Sequence, residues 1–241
     1  MTDTPLKAPS DKGDSDKDKA ASTELAALRA QIDEIDNALL GLLAKRQDLS
    51  RAIVTKKALG SNVFRPDREL SLLRNLVADH AGIDARLIMG LWRHIISASI
   101  AEQKPDYCIA HSAKGKELAT NHSAGYMQLA PYGSVADAID ALRARKADCV
   151  ILTTDEVSEN AALLAPDEVV IAASIGFLQL PDQARGYILC RELPLESGDD
   201  RIVVRHADNS LTHHDATMTE MANSDIVGRY AAPIMFKTDR G

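Results

Sequence analysis

Leu25, Leu28, Ile32, Ile35, Leu39, Leu42, Leu49 and Ile53 follow one another at helical spacing, and the stripe they form is broken once, by Arg46. Such a stripe marks a long helix that buries one face against other helices. The pattern predicts a helix from Glu24 to Leu59, about 54 Å long at the usual rise, with Gly60 suited to a left-handed C-cap. A guanidinium on that stripe keeps its proton. It must meet an anion inside the bundle or carry a penalty on the order of several kcal/mol. Either a carboxylate of the fold or a bound ligand supplies that anion.

Two shorter helices are expected next. Pro66 suits a first helical turn, Asp67 and Glu69 suit its positive end, and Leu70, Leu73, Leu76 and Val77 continue a stripe to His80. Asp84 can cap a third helix whose face is Ile88, Trp92, Ile95 and Ser99, ending at Lys104 and Pro105. A first helix so much longer than its neighbours cannot bury its stripe within one chain, so an intertwined two-fold dimer is expected. Residues 1–22 are rich in Asp, Lys, Ser and Ala, with almost no large apolar group, and are read as a disordered tail. Beyond Pro105, β-rich runs at Tyr107 to Ala110, Asp148 to Leu152, Glu168 to Ala173, Gly186 to Cys190 and Arg201 to Val204 alternate with a helix opening at Ser134. The expected architecture is multidomain: an all-α three-helix domain over 23–104, then a small α/β domain over 106–241.

The net charge of -7 and a pI near 5.5 argue against a nucleic-acid surface, so an anionic ligand would have to be drawn by a local cluster of cations. Cys108, Cys149 and Cys190 are odd in number and widely spaced, which gives neither a disulfide framework nor a zinc pattern. With no apolar run of membrane-spanning length and no secretory pattern at the start of the chain, a cytoplasmic protein without a membrane partner is expected.

Polar residues intrude on the other stripes too. Lys57 lies three turns beyond Arg46 at nearly the same azimuth, so the two cations can lean toward one dianion. Ser99 and Gln103 occupy positions where packing predicts leucines, and Glu69 opens the stripe of the second helix. Arg29 lies about 25 Å along the first helix from Arg46, so it can share a small ligand with Arg46 only from an antiparallel partner subunit.

Leu28-Arg29, the run Leu42-Leu43-Ala44-Lys45-Arg46, Lys57, the run Arg65-Pro66-Asp67-Arg68-Glu69, and Ser99 followed by Gln103 resemble the all-helical chorismate mutase family, in register across residues 24–104. The resemblance implies an isomerase of aromatic amino acid biosynthesis and the shikimate pathway, acting on chorismate as a homodimer without a cofactor or a metal. It implies that Arg29, from the neighbouring subunit, and Arg46 hold the substrate's two carboxylates. Lys57 and Gln103 would face the ether oxygen and Glu69 the ring hydroxyl, with Arg68 and Ser99 completing the pocket. One departure is Arg65, which stands where some members carry an aspartate. Two other readings share these features: an isochorismate-pyruvate lyase, and a non-enzymatic helical dimerisation module carrying an α/β sensor.

The segment from Gly133 to Leu142, followed by Ala147 to Leu152, is weakly similar to the small α/β lobe of prephenate dehydratases. That family's Thr-Arg-Phe triplet is missing, Asp199-Asp200-Arg201-Ile202 being the nearest run, so a degenerate lobe with a regulatory or structural role is expected. His206, His213, His214 and Asp215 show no repeated ligand spacing and read as a solvated loop.

Overall fold

The computed structural model describes residues 12–56, 63–166, 168–176, 186–216 and 226–232. The chain divides after Lys56 into two compact units. The first is represented by one helix, α1 (Lys12–Lys56). It starts before the point expected from composition, and Lys12–Ser22 is helical rather than a disordered tail; residues 1–11 lie outside the described residues. The extension has a local cause, because adding turns to a helix already nucleated costs far less than starting one, and Lys and Ala favour it. The expected end at Leu59 and Gly60 also lies outside the described residues.

The second unit begins with α2 (Pro66–Asp79) and α3 (Ala85–Gln103). Pro66 occupies the first turn of α2, and the Asp84 side chain caps α3 by accepting from the Arg86 N–H at 2.8 Å. There follow β1 (Cys108–His111), α4 (Lys116–Ser123), β2 (Gln128–Pro131), α5 (Val135–Arg143), β3 (Cys149–Thr153), α6 (Thr154–Glu159), β4 (Val170–Ile175), β5 (Gly186–Cys190), β6 (Asp200–Arg205), β7 (Leu211–Asp215) and β8 (Ile226–Ala231). Ser134 caps α5 as expected, accepting from the Asp137 N–H. The strands form one mixed sheet in the order β2-β1-β3-β5-β4-β8-β6-β7. Parallel pairing joins β1 to β2 and β3, while β3-β5, β5-β4, β8-β6 and β6-β7 are antiparallel. His213, His214 and Asp215, read above as loop, belong to β7. His213 stacks on Tyr187 at 5.9 Å, so the histidine is held by aromatic packing that a composition-based reading does not register.

Each sheet face carries its own core. One gathers Ile139, Leu142, Val150, Leu152 and Leu189 under α5 and α6. The other joins Ile109, Leu118, Ile151, Ala172 and Ile188 to Phe64, just before α2, and to Ile100 of α3. Polar clamps reinforce that junction. Arg74 of α2 donates to the Asp199 and Ala232 carbonyls at 3.0 and 2.9 Å, Ser97 of α3 donates to the His122 carbonyl at 3.0 Å, and Lys104 pairs with Asp148. The expected boundary between an all-helical domain ending at 104 and an α/β domain starting at 106 is therefore not where the compact units divide. Helices α2 and α3 belong with the sheet because their apolar residues complete its second core.

Two outcomes follow from this packing. A chain starting at Asp106 lacks Phe64 and Ile100, each contributing about 1.5–3 kcal/mol of burial. It should aggregate or lose cooperative thermal unfolding, whereas a chain starting at Lys57 should unfold in one transition; identical melting of the two would refute the shared core. His122 is buried against Phe64, with ring centroids 5.8 Å apart. Burial, and after it the charge of Arg93, holds its imidazole well below the ordinary value of 6.5. Below that value the unfolded chain takes up a proton that the folded chain refuses. Stability should therefore fall as pH drops from about 6.5, by up to about 1.4 kcal/mol per pH unit. His122→Gln should flatten this slope in urea unfolding followed between about pH 7 and about pH 5.5.

Candidate functional site

On α1 the stripe is present as expected but open. In one chain Leu25, Leu28, Ile32, Ile35, Leu39, Leu42, Leu49 and Ile53 are 39–68% exposed. Arg46 is half-buried on this helix and Arg29 is exposed. Lys57 lies outside the described residues.

In the second unit the polar residues sit on two packed helices. Arg68 is exposed in the first turn of α2, and Glu69 beside it is buried. Glu69 Oε1 pairs with Arg93 Nη2 of α3, the two side chains being only 6% and 15% exposed. Arg93 stands outside the stripe expected on α3. Its spacing was the available signal, since Arg93, Ser97 and Ile100 stand four and then three residues apart, and Ser97 and Ile100 are buried. Of the expected stripe on α3, Ile88 and Ser99 are buried and Trp92 and Ile95 half-buried, so the helix is packed on this side and on the side of Ser97 and Ile100 as well.

Burial pushes the Arg93 guanidinium down to about 10, which leaves it a cation at neutral pH. Ser99 is buried and its hydroxyl donates back to the Ile95 carbonyl at 2.8 Å. Gln103 ends α3 half-buried, one turn beyond Ser99. Arg65 spans Asp67 with two hydrogen bonds, Nε to Oδ1 at 3.0 Å and Nη2 to Oδ2 at 2.7 Å. Burial pushes the Asp67 carboxyl up, but the hydrogen bonds and charge of Arg65, with nearby backbone N–H groups, outweigh it and leave the carboxyl below its ordinary range. Arg65 is thus engaged locally at the start of α2.

A cavity of about 190 Å³ opens there, lined by Phe64, Arg65, Asp67, Cys190, Glu192 and Leu193 among others. It includes none of Arg68, Glu69, Ser99 and Gln103. Among the described residues no cluster of His, Cys, Asp and Glu could hold a metal ion, and no helix is long and apolar enough to cross a membrane.

Residues 28–104 match the family described as chorismate mutase type II. The T-protein of Enterobacter agglomerans is 39% identical over 83 residues, which are 33% of this chain and 22% of that protein. The chain thus spans about a fifth of the length of such relatives. The chorismate mutase of Methanocaldococcus jannaschii is 33% identical over 34% of this chain and 85% of its own length. The isochorismate pyruvate lyase of Pseudomonas aeruginosa is 36% identical over 34% of this chain and 82% of its own length. Among solved structures, the prephenate dehydratase of Streptococcus mutans overlays 43% of this chain and 61% of its own, with 16% identity and a TM-score of 0.29. The polar positions Arg29, Arg46, Glu69, Ser99 and Gln103 all lie inside the matched segment, and through residues 28–104 this chain belongs to the chorismate mutase type II family.

Proposed function

We propose that the chain is a chorismate mutase, an isomerase that rearranges chorismate to prephenate in the cytoplasm. One observation carries the reading: the residues that interrupt the apolar faces of α1, α2 and α3 all fall within the matched segment, and their chemistry suits a flexible dianion. The reaction is an intramolecular pericyclic shift, so a protein accelerates it by holding the substrate in its compact conformer and by placing positive charge where the breaking C–O bond gathers electrons. Arg29 and Arg46 can hold the two carboxylates bidentately. Lys57 and Gln103 can donate to the ether oxygen in the transition state, Glu69 can accept from the ring hydroxyl, and Arg68 and Ser99 close the pocket.

Such a site needs two chains. The exposed stripe of α1 is apolar enough to be driven into a two-fold partner, and Arg29 is about 25 Å from Arg46 along the same helix, too far for one small molecule to bridge. The α/β region serves as a structural or regulatory support for α2 and α3. A second reading, an isochorismate-pyruvate lyase, is favoured by the Pseudomonas aeruginosa relative. Purified protein incubated with each substrate decides between them, because the lyase releases salicylate and pyruvate and the mutase yields prephenate alone. A dimerisation module without catalytic function would tolerate loss of Lys57 and Gln103.

Arg29→Ala and Arg46→Ala should each lower kcat/KM by roughly a hundredfold or more, the loss of one charge-assisted carboxylate contact. Unfolded together and refolded as an equal mixture, about half the dimers would be mixed by random pairing. With Arg29 donated across the interface, both lesions fall in one site of a mixed dimer and the other site is whole. Activity should then recover to roughly a quarter of wild type. No recovery, with mixed dimers confirmed by mass, would refute a shared site.

A further inference from the structure

The proposed chemistry gives Arg93 no task, although the protein buries its guanidinium at a cost. Arg93 stands on the same side of α3 as the buried Ser97 and Ile100, where packing alone would take an aliphatic residue. Its Nη2 meets Glu69 Oε1, while its Nη1 is buried without a hydrogen-bond partner. A buried pair of this kind seldom improves stability over well-packed apolar side chains of similar volume, so stability does not account for it. Geometry does. Glu69 reaches from α2 on a side chain with three rotatable bonds, and a guanidinium on the facing helix holds one carboxylate oxygen in place. A carboxylate carries a second oxygen, which can accept from a ligand. An acceptor fixed before the ligand arrives loses less entropy on binding and discriminates more sharply than a mobile one. Arg93 is itself held, because α3 is tied to the sheet body by Ser97 on the His122 carbonyl and by Lys104 on Asp148.

We propose that Arg93 is a positioning residue that sets Glu69 for recognition of the substrate's ring hydroxyl. The inference rests on the chorismate mutase reading and extends it to a residue that touches no substrate.

The test measures kcat/KM for chorismate and for chorismate methylated at the ring hydroxyl, in the full chain and in Glu69→Gln, Arg93→Gln, Arg93→Lys and the double variant Glu69→Gln/Arg93→Gln. Wild type should prefer chorismate, and Glu69→Gln should lose most of that preference. Arg93→Gln should lower kcat/KM for chorismate by roughly ten- to a hundredfold and for the ether by much less, so that the preference collapses as it does in Glu69→Gln. The double variant should be no worse than Glu69→Gln, because both lesions remove one function. Arg93→Lys keeps the charge without the planar fork and should give an intermediate preference. It carries the test should Arg93→Gln fail to fold. A wild-type preference retained in the folded Arg93 variants, or losses that multiply in the double variant, would overturn the positioning role while leaving the mutase reading intact. Wild-type protein that does not rearrange chorismate would overturn both.

Discussion

The sheet of the second unit has one face that its own helices cannot close. Helix α4 covers part of it, and the remainder is sealed by Phe64 and Ile100, which come from the helical segment that precedes the first strand. Burial of two large apolar side chains contributes several kcal/mol, on the order of half the net stability of an ordinary domain. The chain therefore cannot separate α2 and α3 from the sheet without uncovering a core. Arg74, Ser97 and Lys104 convert this apolar seal into a defined orientation, since each makes a directional contact with the sheet body. The residues of the candidate site that lie on α2 and α3 are in consequence mounted on a rigid support.

Within that support, titratable groups are buried in three ways with different consequences. Asp67 is saturated by Arg65 two residues before it, a local pair that fixes the entry to α2. His122 is kept neutral by its surroundings, and its imidazole serves packing against Phe64. Glu69 and Arg93 form a pair between different helices, and this is the one that can transmit geometry, because any change in the α2 to α3 spacing moves the carboxylate. A cation in a dry site is held in a narrow range of positions by its partner, since lengthening the contact costs more at low dielectric than in water.

How much of this was legible in the sequence differs by element. Helices α2, α3 and α5 could be placed from Pro66, Asp84 and Ser134, because capping is local chemistry written in adjacent residues. Strands β3, β4 and β5 showed as unbroken apolar runs, as expected where both faces are covered. Strand β7 was missed: Leu211 to Asp215 is polar, and although it pairs with β6 across a short turn, the stacking of His213 on Tyr187 that covers it is non-local. The point at which the compact units divide was not legible for the same reason. Composition changes at Pro105, but packing does not, and only the tertiary contacts of Phe64 and Ile100 reveal it. Among the site residues, Arg46 and Glu69 announced themselves by intruding on apolar stripes. Arg93 escaped because α3 is packed on more than one side, and a single-stripe reading assigns the second side to solvent.

The two units answer opposite physical demands. Helix α1 leaves Leu28, Ile32, Ile35, Leu39 and Leu42 more than half exposed in one chain, an apolar face too continuous for a lone soluble helix. The second unit instead buries its apolar residues within itself on two sheet faces. An intertwined dimer that relied on all three helices for its core would have to fold and associate in one step. Here the sheet body already supplies a folded base for α2 and α3, so in the proposed dimer association is left to α1. On the proposed reading, the carboxylate-binding arginines then arrive with the partner-seeking helix, and the groups that read the ring hydroxyl and the ether oxygen wait on the prefolded body. Substrate affinity would depend on subunit association, while discrimination between substrates would be set inside one chain by the Glu69 and Arg93 pair.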